Sequence, residues 1–442
     1  MGQLAELQKV QNQALRIVLG VPKHTKTKAV WVESAEIPLE LIREANMLKY
    51  WARSSTLGEN LPINLKITED PVFAHSKYKK DKKPYSQKVQ ELINKFELND
   101  IDIQPRYIIH TEDLELFTPD MHLAEIINKK KLDTTSLQTV QQYLHDTYSN
   151  TRHIYTDGSK RDTAKFAGGG VAVFDKNLDY DYGFPLKLHK DLSIFSCELI
   201  AIIFALQHIE QDIKENCIIC TDSLSALQAI TSGSSHTRPD LIDKILRLLK
   251  EINAQNLTIQ LIWVPSHIGL AGNEVADKLA KQGCELGKQI PVSLSIREVY
   301  SIINKKIKQK NKVQWEHTKF KNKAYFDPIP TKLHQYSAYP LLDKAYTKLK
   351  LGASCIGGDT LGKHKECKYC DKIEDINHIF FECPTYEAPR EELFNELLKI
   401  GPTIITDKTL FNPPKIQADL IRQAVFQFLT DGNIVNKVVT MY

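Results

Sequence analysis

Apolar positions recur at helical spacing near both ends of this chain and at strand spacing in its middle. In residues 4–19, Leu4, Leu7, Val10, Gln11, Ala14, Leu15 and Val18 step by three and four, and Gly20-Val21-Pro22 stops the run. That pattern predicts one amphipathic helix. A second helix is expected over residues 38–54, with Leu41, Ala45, Leu48 and Trp51 on one side. Two helices make a poor independent core. Residues 1–60 therefore read either as the tail of a domain or as a helical cap on the next one. Across residues 61–148 the period fades, prolines 62, 71, 84, 105 and 119 interrupt it, and only short helices (88–96 and 121–132) are suggested. A linker with local structure is expected there.

The period sharpens again at His153. Residues 153–157 alternate, Gly158-Ser159 turns the chain, residues 168–174 read as a second strand and residues 180–188 as a third. Close neighbours in sequence pair most cheaply as antiparallel strands. From Ser196 the period becomes helical, with Leu199, Ile202, Ile203, Leu206 and Ile209 in one stripe. Residues 217–220 form a fourth strand, 224–230 and 239–254 two helices, 257–264 a fifth strand, and a last helix starts near Asn273. Three strands, helix, strand, two helices, strand and helix predict an α/β domain over residues 149–286: a mixed five-stranded sheet with helices on both faces. A basic helical connector follows (287–345, helix 292–320), then a cysteine-bearing unit (346–400) and a helical tail (401–442, helix 417–429).

Four acids in this region change the picture. Asp157 stands in Thr-Asp-Gly-Ser, Glu198 in Cys-Glu-Leu, Asp222 in Thr-Asp-Ser, and Asp277 in Gly-Asn-Glu-Val-Ala-Asp. Each sits at a strand end or in the first turns of a helix, so they can converge on one rim of the sheet. Singly, an Asp after a strand is often a turn or cap residue. Together they would repel one another without a cation, and hard oxygen ligands suit Mg²⁺, with Mn²⁺ able to substitute. Two such ions about 3.5–4 Å apart serve phosphodiester hydrolysis. Asp157 is the natural bridging ligand, Glu198 and Asp222 each favour one ion, and Asp277 completes the second site. A carboxylate such as Glu198 at the edge of an apolar stripe is costly unless paired or metal-bound.

Near the end, Cys367-x₂-Cys370-x₇-His378-x₄-Cys383 has spacing suited to one closed, tetrahedral and therefore structural Zn²⁺. Cys217 and Cys220 also form Cys-x-x-Cys, but three steps along a strand reach opposite faces, so they are expected in the core. His208, His236 and Cys355 are expected to be structural or surface residues.

Charge adds little. The 442 residues carry a net charge of +4, a weak argument for a nucleic-acid partner, although basic clusters at 77–83 and 305–323 flank the acidic segment. No run nears the roughly 20 apolar residues that cross a bilayer, and Met1-Gly2-Gln3-Leu4 opens no signal-peptide core. Eight cysteines in such a chain point to reduced thiols and a metal, and to an intracellular protein, nucleus or cytoplasm unresolved.

The acidic motifs, together with Trp263-Val264-Pro265-Ser266-His267, closely resemble the ribonuclease H family in order and spacing. The resemblance covers about 130 residues. It implies a ribonuclease H-like fold and Mg²⁺-dependent cleavage of the RNA strand of an RNA–DNA hybrid, with Asp157, Glu198, Asp222 and Asp277 as the catalytic carboxylates. His267 would be the loop histidine that assists proton transfer or product release. Ser159, Ser223 and Asn273 are plausible backbone or 2′-hydroxyl contacts. A departure from some members is the lack of a lysine-rich helix between residues 231 and 239, which shifts hybrid affinity to the flanking basic segments.

The wider layout resembles the C-terminal part of a Jockey-like non-LTR retrotransposon polyprotein: a reverse-transcriptase tail, ribonuclease H, then a Cys-Cys-His-Cys knuckle. Such a knuckle either binds single-stranded RNA or DNA or only staples the fold. The polymerase Asp-Asp motif is absent from this sequence. The competing function is a catalytically inactive nucleic-acid-binding remnant of the same element. Action on DNA is disfavoured by the motif context. Oligomeric state is not legible.

Overall fold

The computed structural model describes residues 2–57, 84–107, 116–127, 134–161, 164–327, 329–330, 332, 337–354, 356, 366–402 and 404–439. The basic cluster at 77–83, Cys355 and the end of the expected 121–132 helix lie outside the described residues. The chain forms two compact units, one of Met47–Asn304 and one joining Met1–Asn46 to Lys305–Tyr442. The second unit brings together residues of the expected N-terminal helical segment and of the connector, cysteine-bearing unit and tail.

The first unit holds the five-stranded sheet: β1 (Arg152–Ser159), β2 (Ala167–Phe174), β3 (Tyr180–Leu188), β4 (Cys217–Thr221) and β5 (Ile259–Trp263), in spatial order β3-β2-β1-β4-β5. Short connections make β1, β2 and β3 antiparallel, whereas β4 joins β1 in parallel and β5 joins β4 in parallel. Parallel neighbours need long crossovers. Here these are α2 (Ile194–His208) before β4, and α3 (Leu224–Thr231) with α4 (Pro239–Ala254) before β5. α5 (Ala271–Gly283) follows β5, and α6 (Ile296–Glu316) comes after it. The mixed sheet with helices is the expected fold class.

Glycines in β2 set how close the helices come. A Cβ on Gly168 would lie 2.0 Å from the Ala280 carbonyl oxygen, whereas one on Gly169 would meet the Ala201 side chain of α2 at 3.6 Å. Alternate positions thus face α5 and α2 across the two faces of the sheet.

Part of the stretch read as linker belongs to this sheet. Asp120 bridges Ile262 in parallel: its amide donates to Leu261 (2.8 Å), and its carbonyl accepts from Trp263 (3.0 Å). The Asp120 carboxylate also accepts the Tyr143 and Tyr148 hydroxyls (2.7 and 2.6 Å) of α1 (Thr134–Tyr148), a 15-residue helix missed by periodicity. The open edge of β5 is thereby paired.

One expectation about apolar runs is corrected. Ile194–Ile213, 20 residues, is long and apolar enough to cross a membrane by length and composition. Its apolarity is accounted for within this unit: Leu199, Ile202, Ala205, Leu206 and Ile209 are fully buried.

In the second unit, Leu19, Ala29 and Val30 share one core with Phe326, Leu349, Phe380, Cys383, Phe411 and Leu429. The helix Gly2–Leu19 forms as expected, but it buries a different face. Leu7, Val10 and Val18 are more than half exposed. The covered side carries Leu15 and Leu19 and, beside them, polar groups. Gln8 accepts the Leu39 amide (2.9 Å), and Asn12 accepts the Trp31 indole N–H (2.8 Å). These side-chain hydrogen bonds join Leu15 and Leu19, which pack on the core, in orienting this helix.

Candidate active site

Register brings the first two acids together. β1 and β4 are paired at Thr156 and Thr221, so Asp157 and Asp222 are the next residues along two adjacent parallel strands. Glu198 comes from the second turn of α2. Ser193 caps that helix by accepting the Ser196 amide. Gly158 lets α2 approach: a Cβ there would lie 2.9 Å from the Glu198 nitrogen and 3.1 Å from its carboxylate carbon. Asp277 comes from α5, whose Ala276 carbonyl lies over Gly170, the β2 partner of Asp157.

One carboxylate oxygen from each of Asp157, Glu198 and Asp222 lies within 4.8 Å of the others. Asp277 stands outside that set of three but within hydrogen-bond reach of Asp157, and its carboxylate is paired with Lys281, one turn further along α5. Burial pushes Asp157 up to about 7, with the Asp222 and Asp277 charges adding to the shift. Burial, then Asp157 and Asp222, raise Glu198 well above the usual carboxylate range. Burial also raises Asp222, opposed by the Asn273 side chain and by His267. Acids packed this closely share protons until a cation replaces them.

The residues fit a divalent cation. The Glu198 Oε2 atom is buried without a hydrogen-bond partner, as is the Asn273 Oδ1. An oxygen stripped of water in this way is costly unless a proton or a metal meets it.

His267 is exposed, on the loop after β5, with φ of 56°. Asn273 is buried and its side chain serves Asp222, while Ser159 is buried at the end of β1. Ser223 is the N-cap residue of α3, with its hydroxyl 3.4 Å from that of Ser225. Sequence reasoning missed Lys281, although its i+4 spacing from Asp277 signals an ion pair on a helix. It also missed Trp263, whose indole N–H donates to the Asp222 carbonyl at 3.1 Å.

Residues 149–285 form an RNase H domain, matching that family's model. Among solved structures, the chain is similar to the RNase H1 of the halophilic archaeon Halobacterium salinarum, with 24% identity, 30% of this chain and 96% of that one covered, and a TM-score of 0.26. It is also similar to the foamy viral protease-reverse transcriptase in complex with dsDNA (21% identity, 31% and 95% covered, TM-score 0.27). The native prototype foamy virus protease-reverse transcriptase is a third (20% identity, TM-score 0.27); 32% of this chain matches 22% of that one. Within the RNase H domain, Asp157, Glu198 and Asp222 come together at the β1–β4 rim, and Asp277 lies beside Asp157.

The second cluster lies in the other unit. The ligand atoms of Cys367, Cys370, His378 and Cys383 lie within 4.8 Å of one another. Cys383 Sγ is 3.8 Å from both Cys367 Sγ and Cys370 Sγ, and Cys370 Sγ is 3.2 Å from His378 Nε2. A tetrahedron with Zn–S bonds of about 2.3 Å has an S–S edge of about 3.8 Å. Cys367, His378 and Cys383 are at most 2% exposed, which places the cluster inside the core.

Proposed function

We propose that the RNase H domain is a divalent-cation-dependent endoribonuclease that hydrolyses the RNA strand of RNA–DNA hybrids. The observation that carries this reading is the convergence of Asp157, Glu198 and Asp222 within 4.8 Å, with the buried Glu198 Oε2 lacking any other partner. Asp157, Glu198, Asp222 and Asp277 would hold Mg²⁺ or Mn²⁺, which when bound supplies charge neutralisation at phosphorus and an activated water. Asn273 orients the Asp222 carboxylate, and Lys281 restrains Asp277. The exposed His267, on the loop after β5, would assist proton transfer or product release. Ser159 and Ser223 flank the site at the ends of β1 and β4.

The Cys-Cys-His-Cys cluster is proposed to hold a structural Zn²⁺. Burial of three of its four residues favours a fold staple over a nucleic-acid knuckle, because a knuckle that reads bases must expose them a surface. The order of segments supports an origin in a Jockey-like retrotransposon polyprotein.

The test is Mg²⁺-dependent cleavage of a labelled RNA–DNA hybrid by the full chain, with Asp157→Asn alongside and duplex RNA and duplex DNA as competitors. Hybrid-specific cutting of RNA, lost in the variant, is expected. If both proteins are inert yet still bind the hybrid, the binding-remnant reading replaces this one.

A further inference from the structure

Beyond residue 285, where the match to the RNase H family ends, a buried carboxylate caps the helix that carries Glu198. Glu298 is 5% exposed. Its Oε1 accepts the Ser193 amide (2.6 Å) and the Ser196 hydroxyl (2.7 Å), both at the start of α2. Its Oε2 accepts the Ser295 amide (2.8 Å) and hydroxyl (2.9 Å) at the start of its own helix, α6. The Ser295 hydroxyl in turn accepts the Glu298 amide (3.3 Å), completing a capping box. Arg238, 1% exposed and the N-cap residue of α4, lies 3.5 Å from the same carboxylate and is paired with Asp240 at 2.7 Å.

One carboxylate thus sits between the N-termini of α2 and α6, with the start of α4 beside it. Helix N-termini carry partial positive charge and unpaired amides, so a carboxylate is the group that satisfies both. Each oxygen of Glu298 takes two donors, a set that a carboxylate accepts in full and a carboxamide cannot. Burial works to raise the Glu298 carboxyl, yet the Ser193 amide, the Ser196 hydroxyl and Arg238 bring it below the usual range.

We infer that Glu298 is a positioning residue for the carboxylate site: by locking the first turn of α2 it fixes Glu198, so the catalytic unit extends beyond the recognisable domain to at least residue 298. The inference rests on the reading of Asp157, Glu198 and Asp222 as cation ligands. It goes further by making a helix outside the family match part of the nuclease. Ser193 and Ser196 transmit the restraint, since they contact α2 on one side and Glu298 on the other. Ser295 contacts Glu298 from the α6 side alone.

Full-length Glu298→Gln, Ser196→Ala and Ser295→Ala are compared with wild type at a temperature where circular dichroism shows all four folded. Mn²⁺ binding is followed by its electron paramagnetic resonance signal, cleavage by kcat and KM on the hybrid, and the α2 cap by hydrogen exchange at the amides of residues 196–199. Glu298→Gln is expected to weaken Mn²⁺ binding about tenfold, the lower end for partners that orient metal ligands. It should lower kcat with KM unchanged and speed exchange at the α2 amides. Ser196→Ala should follow it, whereas Ser295→Ala should bind Mn²⁺ like wild type. Wild-type Mn²⁺ binding in Glu298→Gln, or equal losses in Ser295→Ala, would overturn the inference. If wild type itself binds no Mn²⁺, the cation reading fails, and the exchange data alone decide whether Glu298 locks α2.

Discussion

A methyl group on Gly170 would lie 2.2 Å from the carbonyl oxygen of Ala276, the residue before Asp277. Gly170 is also the β2 partner of Asp157. One side-chain-free position therefore sets both the height of α5 above the sheet and the separation of two of the acids. Gly170→Ala is expected to destabilise the domain by about 1–3 kcal/mol, as overpacking does. It should also reduce Mg²⁺-dependent cleavage more than hybrid binding. Urea unfolding and a binding assay on the same preparation check both. Unchanged cleavage would show that α5 can shift without moving Asp277.

The proton on Asp157 gives the second prediction. Its folded-state value of about 7 lies above that of an ordinary carboxylate. A group raised on folding favours the fold at low pH, and that contribution is lost as pH rises through about 7. The metal-free protein should therefore lose stability between about pH 4 and about pH 7, and Mg²⁺ should restore it most at the alkaline end, where protons no longer compete. Thermal melting at several pH values, with and without Mg²⁺, tests this. Asp157→Asn should flatten the dependence.

Asn273 supports Asp222 with its side chain, against burial. Asn273→Ala removes that support, so the Asp222 carboxyl should rise. The acid limb of the cleavage profile should then move to higher pH, with kcat falling more than KM changes. An unshifted limb with lower activity would point to a substrate contact instead.

For the cysteine cluster, Cys383→Ser should remove bound zinc and destabilise the unit of residues 1–46 and 305–442, in whose core Cys383 is fully buried. Structural zinc contributes directly to folding. Metal analysis by mass spectrometry and proteolysis of the two units check this. Hybrid cleavage by the RNase H domain should persist wherever that unit remains folded.

The sheet was legible because its strands alternate or run apolar between glycine turns, and each acid sits beside a distinctive neighbour. Gly158 and Gly170 were visible, but their reason was not: only the packed helices show that a Cβ would strike the Glu198 nitrogen or the Ala276 carbonyl. The Asp120 bridge to Ile262 was illegible because 142 residues separate its ends and a single bridge leaves no period. The first helix was visible and its buried face was not, since Gln8 and Asn12 are held by hydrogen bonds to partners that a hydrophobic pattern ignores. The Ser295-x-x-Glu298 capping box was readable in principle. Its second role, on Ser193 at the start of a helix 105 residues upstream, was not.

The sharing of one core by Leu19, Val30, Phe380 and Leu429 bears on how the chain is made. Every strand of the five-stranded sheet lies between residues 152 and 263, and the Asp120 bridge to β5 comes only shortly before them, so its pairing partners leave the ribosome close together. The helices at the beginning must wait for segments near residue 429, tens of seconds later at about 5–20 residues per second. During that interval Leu19 and Val30 lack their eventual neighbours, and cellular chaperones have their best opportunity to bind.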